Sequence, residues 1–146
     1  MKILVSACLL GVNCRYDGGN SRNENAIKRQ QTDELVPVCP EEAGGLSTPR
    51  PPVEIVGGDG NDVLDGKAKV VTAGGEDKTE EFLKGARHAL ALAQSQGATC
   101  VILKAKSPSC GCGTIYDGSF SGTLISGDGV TTALLKRHGI EVISTD

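Results

Sequence analysis

The chain has 146 residues, a length at which one domain can bury a hydrophobic core without disulfides. Its formal net charge of -3 argues against non-specific nucleic-acid binding, which depends on clustered Lys and Arg, and favours a small substrate. No apolar stretch approaches the roughly 18 residues of a membrane span. We therefore expect one cytoplasmic domain over residues 1–146, in which metal binding or catalysis is favoured over disulfide bonds for the six cysteines.

The first part of the chain predicts two strands joined by a helix. Residues 2–7 form an apolar run typical of a buried strand, and a loop follows over residues 9–19. Candidate N-cap residues at 20–24 predict a short helix that ends near Gln30. A second strand is expected at residues 34–38. Such a unit forms a right-handed crossover, so these two strands should lie parallel.

The middle of the chain is rich in turn-forming residues. Residues 40–52 contain several prolines and glycines, which predict a long loop without regular structure. Short strand candidates at residues 53–56 and 69–72 flank Gly and Asp turn signals over residues 57–66. This arrangement predicts a small β-hairpin insertion.

The next segment predicts the strongest helix of the chain. Asp77 and Glu80 have the spacing of a capping box, and the apolar pattern behind them runs to about Ser95. The apolar run at residues 100–103 then predicts a third core strand.

The last part of the chain completes an alternation of strands and helices. Glycine-rich residues 111–129 are expected to wrap around a functional site. Asp128 is a candidate N-cap for a helix over residues 130–138, and a final strand is expected at residues 141–144. The whole pattern predicts a three-layer, Rossmann-like α/β domain with a mostly parallel sheet.

Three cysteines follow the apolar runs that predict core strands. Cys8 and Cys39 come directly after such runs, and Cys110 lies in the loop after the third. In that loop, Pro108 fixes its own φ angle, and Gly111 has no side chain and so lets the backbone approach a ligand closely. Because the carboxyl ends of parallel strands meet at one edge of a sheet, we expect the three sulfurs to share a ligand site there.

The six cysteines are compatible with several kinds of chemistry. Cys100 starts a buried run and is expected to be inert. The chain lacks the C-x₂-C pairs typical of structural zinc and of redox thiols, although zinc remains an alternative. An iron–sulfur cluster accepts thiolates scattered in the sequence, and three of them would leave one iron open. Cys14 or Cys112 could supply a fourth ligand.

Three motifs resemble the signatures of the thiouracil desulfurase (TudS-like) family. They are SACLLGVNCRYDG at residues 6–18, VPVCPEEAGGLSTPRPP at residues 36–52 and LKAKSPSCG at residues 103–111. The similarity continues through YDGSFSG and GDGVTTALL and so covers essentially the whole chain. The resemblance implies an enzyme that removes sulfur from a thiolated pyrimidine without net redox change and releases the oxo base and sulfide.

The resemblance also implies which residues act. A 4Fe-4S cluster would be held by Cys8, Cys39 and Cys110. The catalytic glutamate of the family matches Glu41, which could alternatively only begin a helix after Pro40. The catalytic serine matches the segment that contains Ser107 and Ser109, and we favour Ser107.

Other polar residues of the motifs have two readings each. These residues are Arg15, Tyr16, Asp17 and Arg50. Each could hold the substrate ring or only brace a loop. A thiolated tRNA is a less favoured substrate than a small molecule, because family relatives that act on tRNA carry a second domain. A non-catalytic iron–sulfur or zinc-binding module is the alternative from another functional class. A homodimer is left open as the assembly.

Overall fold

Strands and helices alternate along the chain. The computed structural model describes residues 2–145. The strands are β1 (Lys2–Ser6), β2 (Glu34–Val38), β3 (Val53–Val56), β4 (Lys69–Thr72), β5 (Cys100–Lys104), β6 (Thr114–Tyr116), β7 (Leu124–Ser126) and β8 (Glu141–Thr145). The helices are α1 (Glu24–Lys28), α2 (Pro40–Ala43), α3 (Gly60–Leu64), α4 (Thr79–Gln96) and α5 (Val130–Arg137), with 3-10 turns at Ala7–Leu10 and Arg29–Gln31. Within residues 2–145, every helix falls short of the length and apolarity that spanning a bilayer requires.

Four strands form one parallel sheet in the order β2-β1-β5-β8. Leu4 of β1 lies opposite Val36 of β2 on one side and Val101 of β5 on the other. The sheet therefore grows from β1 in both directions, and the carboxyl ends of β1 and β5 form the switch point at which such sheets bind ligands. The predicted parallel sheet is confirmed.

Side chains of the central strands alternate between two cores. Leu4 packs with Ala89 of α4 and Leu135 of α5. Its neighbour Ile3 points to the opposite face, where it packs in a cluster with Ala26 of α1. Both faces of the sheet are thus covered, as parallel sheets require. The predicted three-layer architecture is confirmed.

The predicted hairpin insertion is present, with a helix inside it. β3 and β4 pair antiparallel, but the segment between them contains α3 and is not only a turn. Asp59 begins this helix because its carboxylate accepts the backbone N–H groups of Asn61 and Asp62. Ile55 and Phe82 join an apolar cluster that holds the insertion against α4.

The predicted capping box at Asp77 and Glu80 is wrong. α4 begins at Thr79, and its N-cap is Lys78, whose side chain makes no cap. The segment before the helix is paired with β4: Asp77 forms an antiparallel bridge with Val71, and the Lys78 N–H donates to the carbonyl oxygen of Val70 at 2.8 Å. Asp77 accepts the Thr79 N–H at 2.8 Å just outside the helix.

Asp128 does not cap α5, contrary to the prediction. The N-cap position is taken by Gly129. The carboxylate of Asp128 accepts the Gly113 N–H at 2.7 Å through Oδ1 and contacts Lys136 Nζ at 3.1 Å through Oδ2. Asp128 therefore ties the loop before β6 to α5.

Residues 40–52 are less irregular than predicted, because the first four form α2. Pro40 suits the first helical position, where its fixed φ is favourable and its missing N–H costs nothing. A Cβ added to Gly85 of α4 would lie 1.9 Å from the Pro40 carbonyl oxygen, and one added to Gly44 would lie 2.0 Å from that of Glu81. The two helices thus pack backbone against backbone, which fixes the segment just after β2.

Candidate active site

A cavity of about 550 Å³ opens at the carboxyl edge of the parallel sheet. Cys8, Cys39 and Cys110 all line it. They follow β1, β2 and β5, which are neighbours in the sheet. The structure therefore brings together the three thiols that lie beyond separate strand ends in the sequence.

Local backbone geometry holds each of these cysteines. Cys8 lies in the 3-10 turn after β1, which ends at Gly11 with a left-handed φ of 93° that glycine adopts readily. Cys39 occupies the N-cap position of α2. The N–H of Cys110 donates to Ser107 Oγ at 2.7 Å, which closes the turn that carries this thiol.

The loop that carries Cys110 rests on the beginning of α5. Thr132 Oγ1 donates to the Cys110 carbonyl oxygen at 2.9 Å. A Cβ on Gly129 would lie 2.4 Å from the carbonyl oxygen of Ser109, so only glycine permits this approach. α5 thereby fixes the position of the loop that carries Cys110.

The remaining cysteines occupy different surroundings. Cys14 is buried and lines the same cavity, and its carbonyl oxygen accepts from Cys39 Sγ at 3.8 Å. Cys112 lies outside the cavity lining and contacts the Val142 carbonyl oxygen at 3.9 Å. Cys100 starts β5 and does not line the cavity. Of the two cysteines considered as a fourth ligand, only Cys14 is in place to contribute.

The cavity thiols differ in proton affinity. Burial, with the nearby charge of Glu41, raises the pKa of Cys110 to about 12. The hydrogen bond from Cys39 favours the Cys14 thiolate, but the hydrogen bond to Cys8 and burial prevail and raise the pKa of Cys14 to about 12. The hydrogen bond with Cys14 raises the pKa of Cys39 and lowers that of Cys8. Most of these thiols would release a proton on binding a cationic centre.

Glu41 and Arg50 form an ion pair in the cavity wall. Arg50 Nη2 donates to Glu41 Oε2 at 2.6 Å, and the two side chains are only 6% and 17% exposed. Glu41 belongs to the first turn of α2, two residues after Cys39. The helix start that was the alternative role of Glu41 does exist, but Glu41 also lines the cavity.

The two candidate serines are separated by their surroundings. Ser107 lines the cavity. Ser109 is 1% exposed, and its hydroxyl hydrogen-bonds with Thr131 Oγ1 at 2.7 Å. Ser107 is therefore the serine that can reach a bound molecule.

The loop after Cys8 contributes two of the three polar residues expected at the site. Arg15 and Tyr16 line the cavity, and the Arg15 guanidinium carbon lies 5.9 Å from the centre of the Tyr16 ring. Asp17 is not part of the lining. Its Oδ1 accepts the Gly19 N–H at 2.8 Å and so shapes the loop.

Four further cavity residues were not singled out from the sequence. Lys104 and Lys106 belong to the same stretch as Cys110, so their position in the chain was a usable signal. Glu54 and Tyr116 come from the two hairpins, whose docking no local pattern reveals. The hairpin of β6 and β7 lies within the glycine-rich segment that was expected to wrap the site.

The arrangement of the three thiols suits a cluster and not a single metal ion. Zinc draws its sulfur ligands to about 2.3 Å from one point. Among residues 2–145, no three His, Cys, Asp or Glu side chains converge in that way. Cys8, Cys39 and Cys110 instead surround a cavity, as ligands to a larger body of four irons and four sulfides would, and thiolate is the standard ligand of such clusters. The residues fit a cluster better than a single ion.

Similarity to known proteins shows the family to which the chain belongs. The sequence model of the 2-thiouracil desulfurase family matches residues 3–146. This chain belongs to that family. The match extends over nearly the whole chain, so the family resemblance of the three motifs is confirmed, and with it the expectation of a desulfurase-type enzyme.

Two individual proteins are similar to this family member over almost its full length. The uncharacterized protein YbbK of Bacillus subtilis (strain 168) is 55% identical over 142 residues, which cover 97% of this chain and 94% of YbbK. The solved structure of the 4Fe-4S-dependent thiouracil desulfidase TudS is 47% identical and superposes with a TM-score of 0.83. The superposition covers 99% of this chain and 91% of TudS, which confirms the predicted fold.

Proposed function

We propose that this chain hydrolyses the C–S bond of a thiolated pyrimidine such as thiouracil. Thiouracil and water would give uracil and hydrogen sulfide, with no electrons transferred. The observation that carries the proposal is the shared cavity, which Cys8, Cys39 and Cys110 line together with Glu41. The substrate class is supported by the thiouracil desulfidase TudS, to which the chain is 47% identical.

Cys8, Cys39 and Cys110 would hold a 4Fe-4S cluster. The 4Fe-4S dependence of TudS and the fit of the three thiols to a cluster support this assignment. When bound, the cluster would supply a Lewis-acidic iron, which suits a soft sulfur donor and would polarise the C–S bond of the substrate. Because the thiols of Cys39 and Cys110 have raised pKa values, loading should release protons.

Glu41 is the proposed general base and general acid. Water is a poor nucleophile at neutral pH, so a carboxylate within hydrogen-bond reach must take its proton and can then return one to the departing sulfur. Glu41 suits this role because it lines the cavity two residues after Cys39. Its charge is also, after burial, the second cause that raises the pKa of Cys110, which supports a role for this carboxylate beside the cluster site.

Ser107 is proposed to orient the water or the pyrimidine ring. Its hydroxyl oxygen accepts the Cys110 N–H at 2.7 Å, which leaves the hydroxyl hydrogen for a donated bond. Arg15 and Tyr16, which also line the cavity, are proposed to contact the substrate.

A small pyrimidine is preferred to a thiolated tRNA as the substrate. The net charge of -3 supplies no excess of cations for an RNA backbone. We further propose that residues 1–146 act as one desulfurase domain. The homodimer and the cytoplasmic location stay predictions.

Anaerobic reconstitution tests the proposal. The purified chain is loaded with iron and sulfide, analysed for both, and incubated with 2-thiouracil while uracil and sulfide are measured. We expect four irons per chain and equal amounts of the two products. Iron bound without turnover would favour a non-catalytic module, and zinc bound in preference to iron would contradict the cluster.

A further inference from the structure

The terminal nitrogens of Arg50 donate all of their hydrogens to acceptors within the protein. Nη1 donates to the Ser47 carbonyl oxygen at 3.2 Å and to Thr48 Oγ1 at 3.0 Å. Nη2 donates to the Cys14 carbonyl oxygen at 3.1 Å and to Glu41 Oε2 at 2.6 Å. Each terminal nitrogen carries two hydrogens, so these bonds leave none of the four for a ligand.

The two carboxylate oxygens of Glu41 have different surroundings. Oε2 accepts from Arg50, whereas Oε1 accepts no hydrogen bond from residues 2–145. Oε1 is also accessible to solvent. Among the described residues, Ser21 Oγ is the one buried side-chain oxygen or nitrogen without a hydrogen-bond partner, so Oε1, which has no partner, is not buried. Since Glu41 lines the cavity, Oε1 is the oxygen that a bound water can reach.

From this geometry we propose that Arg50 is a positioning residue that holds Oε2 of Glu41 so that Oε1 faces the reacting water. The same guanidinium joins α2, which carries Glu41, to the loop that carries Cys14. The inference rests on the proposed function, because it concerns the residue that holds the proposed base. It adds a third role to the two that the sequence left open for Arg50, which were to hold the substrate ring or to brace a loop.

The planar fork of Arg50 is essential to this role. Its four bonds run to acceptors on three separate segments, and the ion pair with Glu41 is charge-assisted and shielded from water. A lysine would keep the positive charge but offers one compact ammonium group with three donors. It can replace the ion pair but not the whole set of contacts.

Steady-state kinetics of Arg50→Gln and Arg50→Lys test the proposal. Both variants are loaded anaerobically, and kcat and KM for 2-thiouracil are expressed per mole of intact cluster. We expect kcat to fall roughly 10²-fold in Arg50→Gln, as misplacement of a reacting group by about 1 Å does, with KM little changed. Arg50→Lys should recover part of that loss.

Arg22→Gln is the matched control. Arg22 also forms an ion pair, with Glu24 at 2.9 Å, but both side chains are exposed and neither lines the cavity. Its kcat and KM should equal those of the wild type. A role of Arg50 in general solubility or charge would affect both variants alike.

A second measurement uses the cluster-free protein and needs no activity. Urea unfolding midpoints are compared for Glu41→Gln, Arg50→Gln and the double variant. If the two side chains act through one contact, Glu41→Gln should shift the midpoint much less in the Arg50→Gln background than in the wild type. This cycle tests whether Glu41 and Arg50 act through one contact even if the loaded wild type fails to release sulfide. Such a failure would overturn the proposed function and leave the result of the cycle unchanged.

Three results would overturn the inference. Wild-type kcat per cluster in Arg50→Gln would make Arg50 a loop brace without effect on Glu41. A raised KM with unchanged kcat would return Arg50 to substrate binding. Additive midpoint shifts in the cycle would show that the two side chains do not act together.

Discussion

At the residue scale, two adjacent carboxylates on α2 have different surroundings. Glu41 lines the cavity, whereas Glu42 Oε2 accepts the hydroxyl of Thr48 in an exposed contact. The order of side chains around one helical turn therefore decides which carboxylate can act. Sequence proximity to Cys39 alone does not separate the two.

Glu41→Gln keeps the shape of the side chain and removes its basicity. We expect kcat to fall by about 10² to 10⁴, the usual value of general acid–base catalysis, while the visible absorbance of the loaded protein stays unchanged. Sulfide release per cluster is the measurement. Glu42→Gln is the control and should turn over like the wild type, and equal rates in both variants would remove Glu41 from its proposed role.

The cysteines should divide into two groups. Cys8→Ser, Cys39→Ser and Cys110→Ser should each abolish retention of iron, because each removes a sulfur ligand from the cavity lining. Cys100→Ser should retain iron and cost only packing, since Cys100 lies outside the cavity lining. Iron and sulfide per chain after anaerobic reconstitution distinguish the groups. Retention of iron by Cys110→Ser would contradict the ligand assignment.

At the element scale, the sequence predicted the strands of the sheet better than the starts of the helices. The apolar runs of β1 and β5 are continuous because both faces of these central strands are buried. Helix starts depend on neighbours as well as on local capping residues, and pairing with β4 displaced the start of α4. A helix after Pro40 was considered only as an alternative role of Glu41, because the prolines and glycines of residues 40–52 indicate irregular structure, although proline also suits the first helical position.

Close packing of α2 on α4 should position the cysteine and glutamate that follow β2. Gly85→Ala would normally stabilise a helix by about 1 kcal/mol. Here its Cβ would lie 1.9 Å from the Pro40 carbonyl oxygen, so we expect a net destabilisation of about 1–3 kcal/mol from overpacking. Urea unfolding measures it.

Gly74→Ala is the control for that substitution. Gly74 has a negative φ, and a Cβ there would meet nothing closer than Thr72 Oγ1 at 3.9 Å. Its effect should stay within about 0.5 kcal/mol. A stabilised Gly85→Ala variant would show that α2 can move away from α4 without cost.

At the scale of the whole molecule, the site joins segments far apart in the chain. Cys8, Cys39 and Cys110 could be expected to meet because parallel topology brings strand ends together. The contact of Arg50 with Glu41 could not, since it depends on how the loop after α2 folds back. Neither could the burial of Ser109 against α5, which local sequence does not encode.

The buried thiols should make the stability of the cluster-free protein depend on pH. The pKa values of Cys14 and Cys110 rise from the usual 9.0 to about 12. Unfolding would therefore release protons, so the stability that these groups contribute is present below pH 9 and is lost as pH rises towards 12. The lowered pKa of Cys8 acts in the opposite sense.

The urea midpoint of the reduced, cluster-free protein measures this dependence. It should fall across that alkaline window, and it should fall less steeply in Cys110→Ser, which lacks one of the groups. Comparison of the two slopes removes the contribution of other groups that titrate at high pH. Equal slopes would contradict the raised pKa of Cys110.

The central claim is that the loaded protein replaces sulfur by oxygen from water without electron transfer. The most direct test incubates it with 2-thiouracil in water labelled with oxygen-18, without any reductant, and follows uracil by mass spectrometry and sulfide by colorimetry. The account predicts that each uracil formed carries one labelled oxygen and is matched by one sulfide. Unlabelled uracil, or product formation only when an electron donor is added, would contradict it.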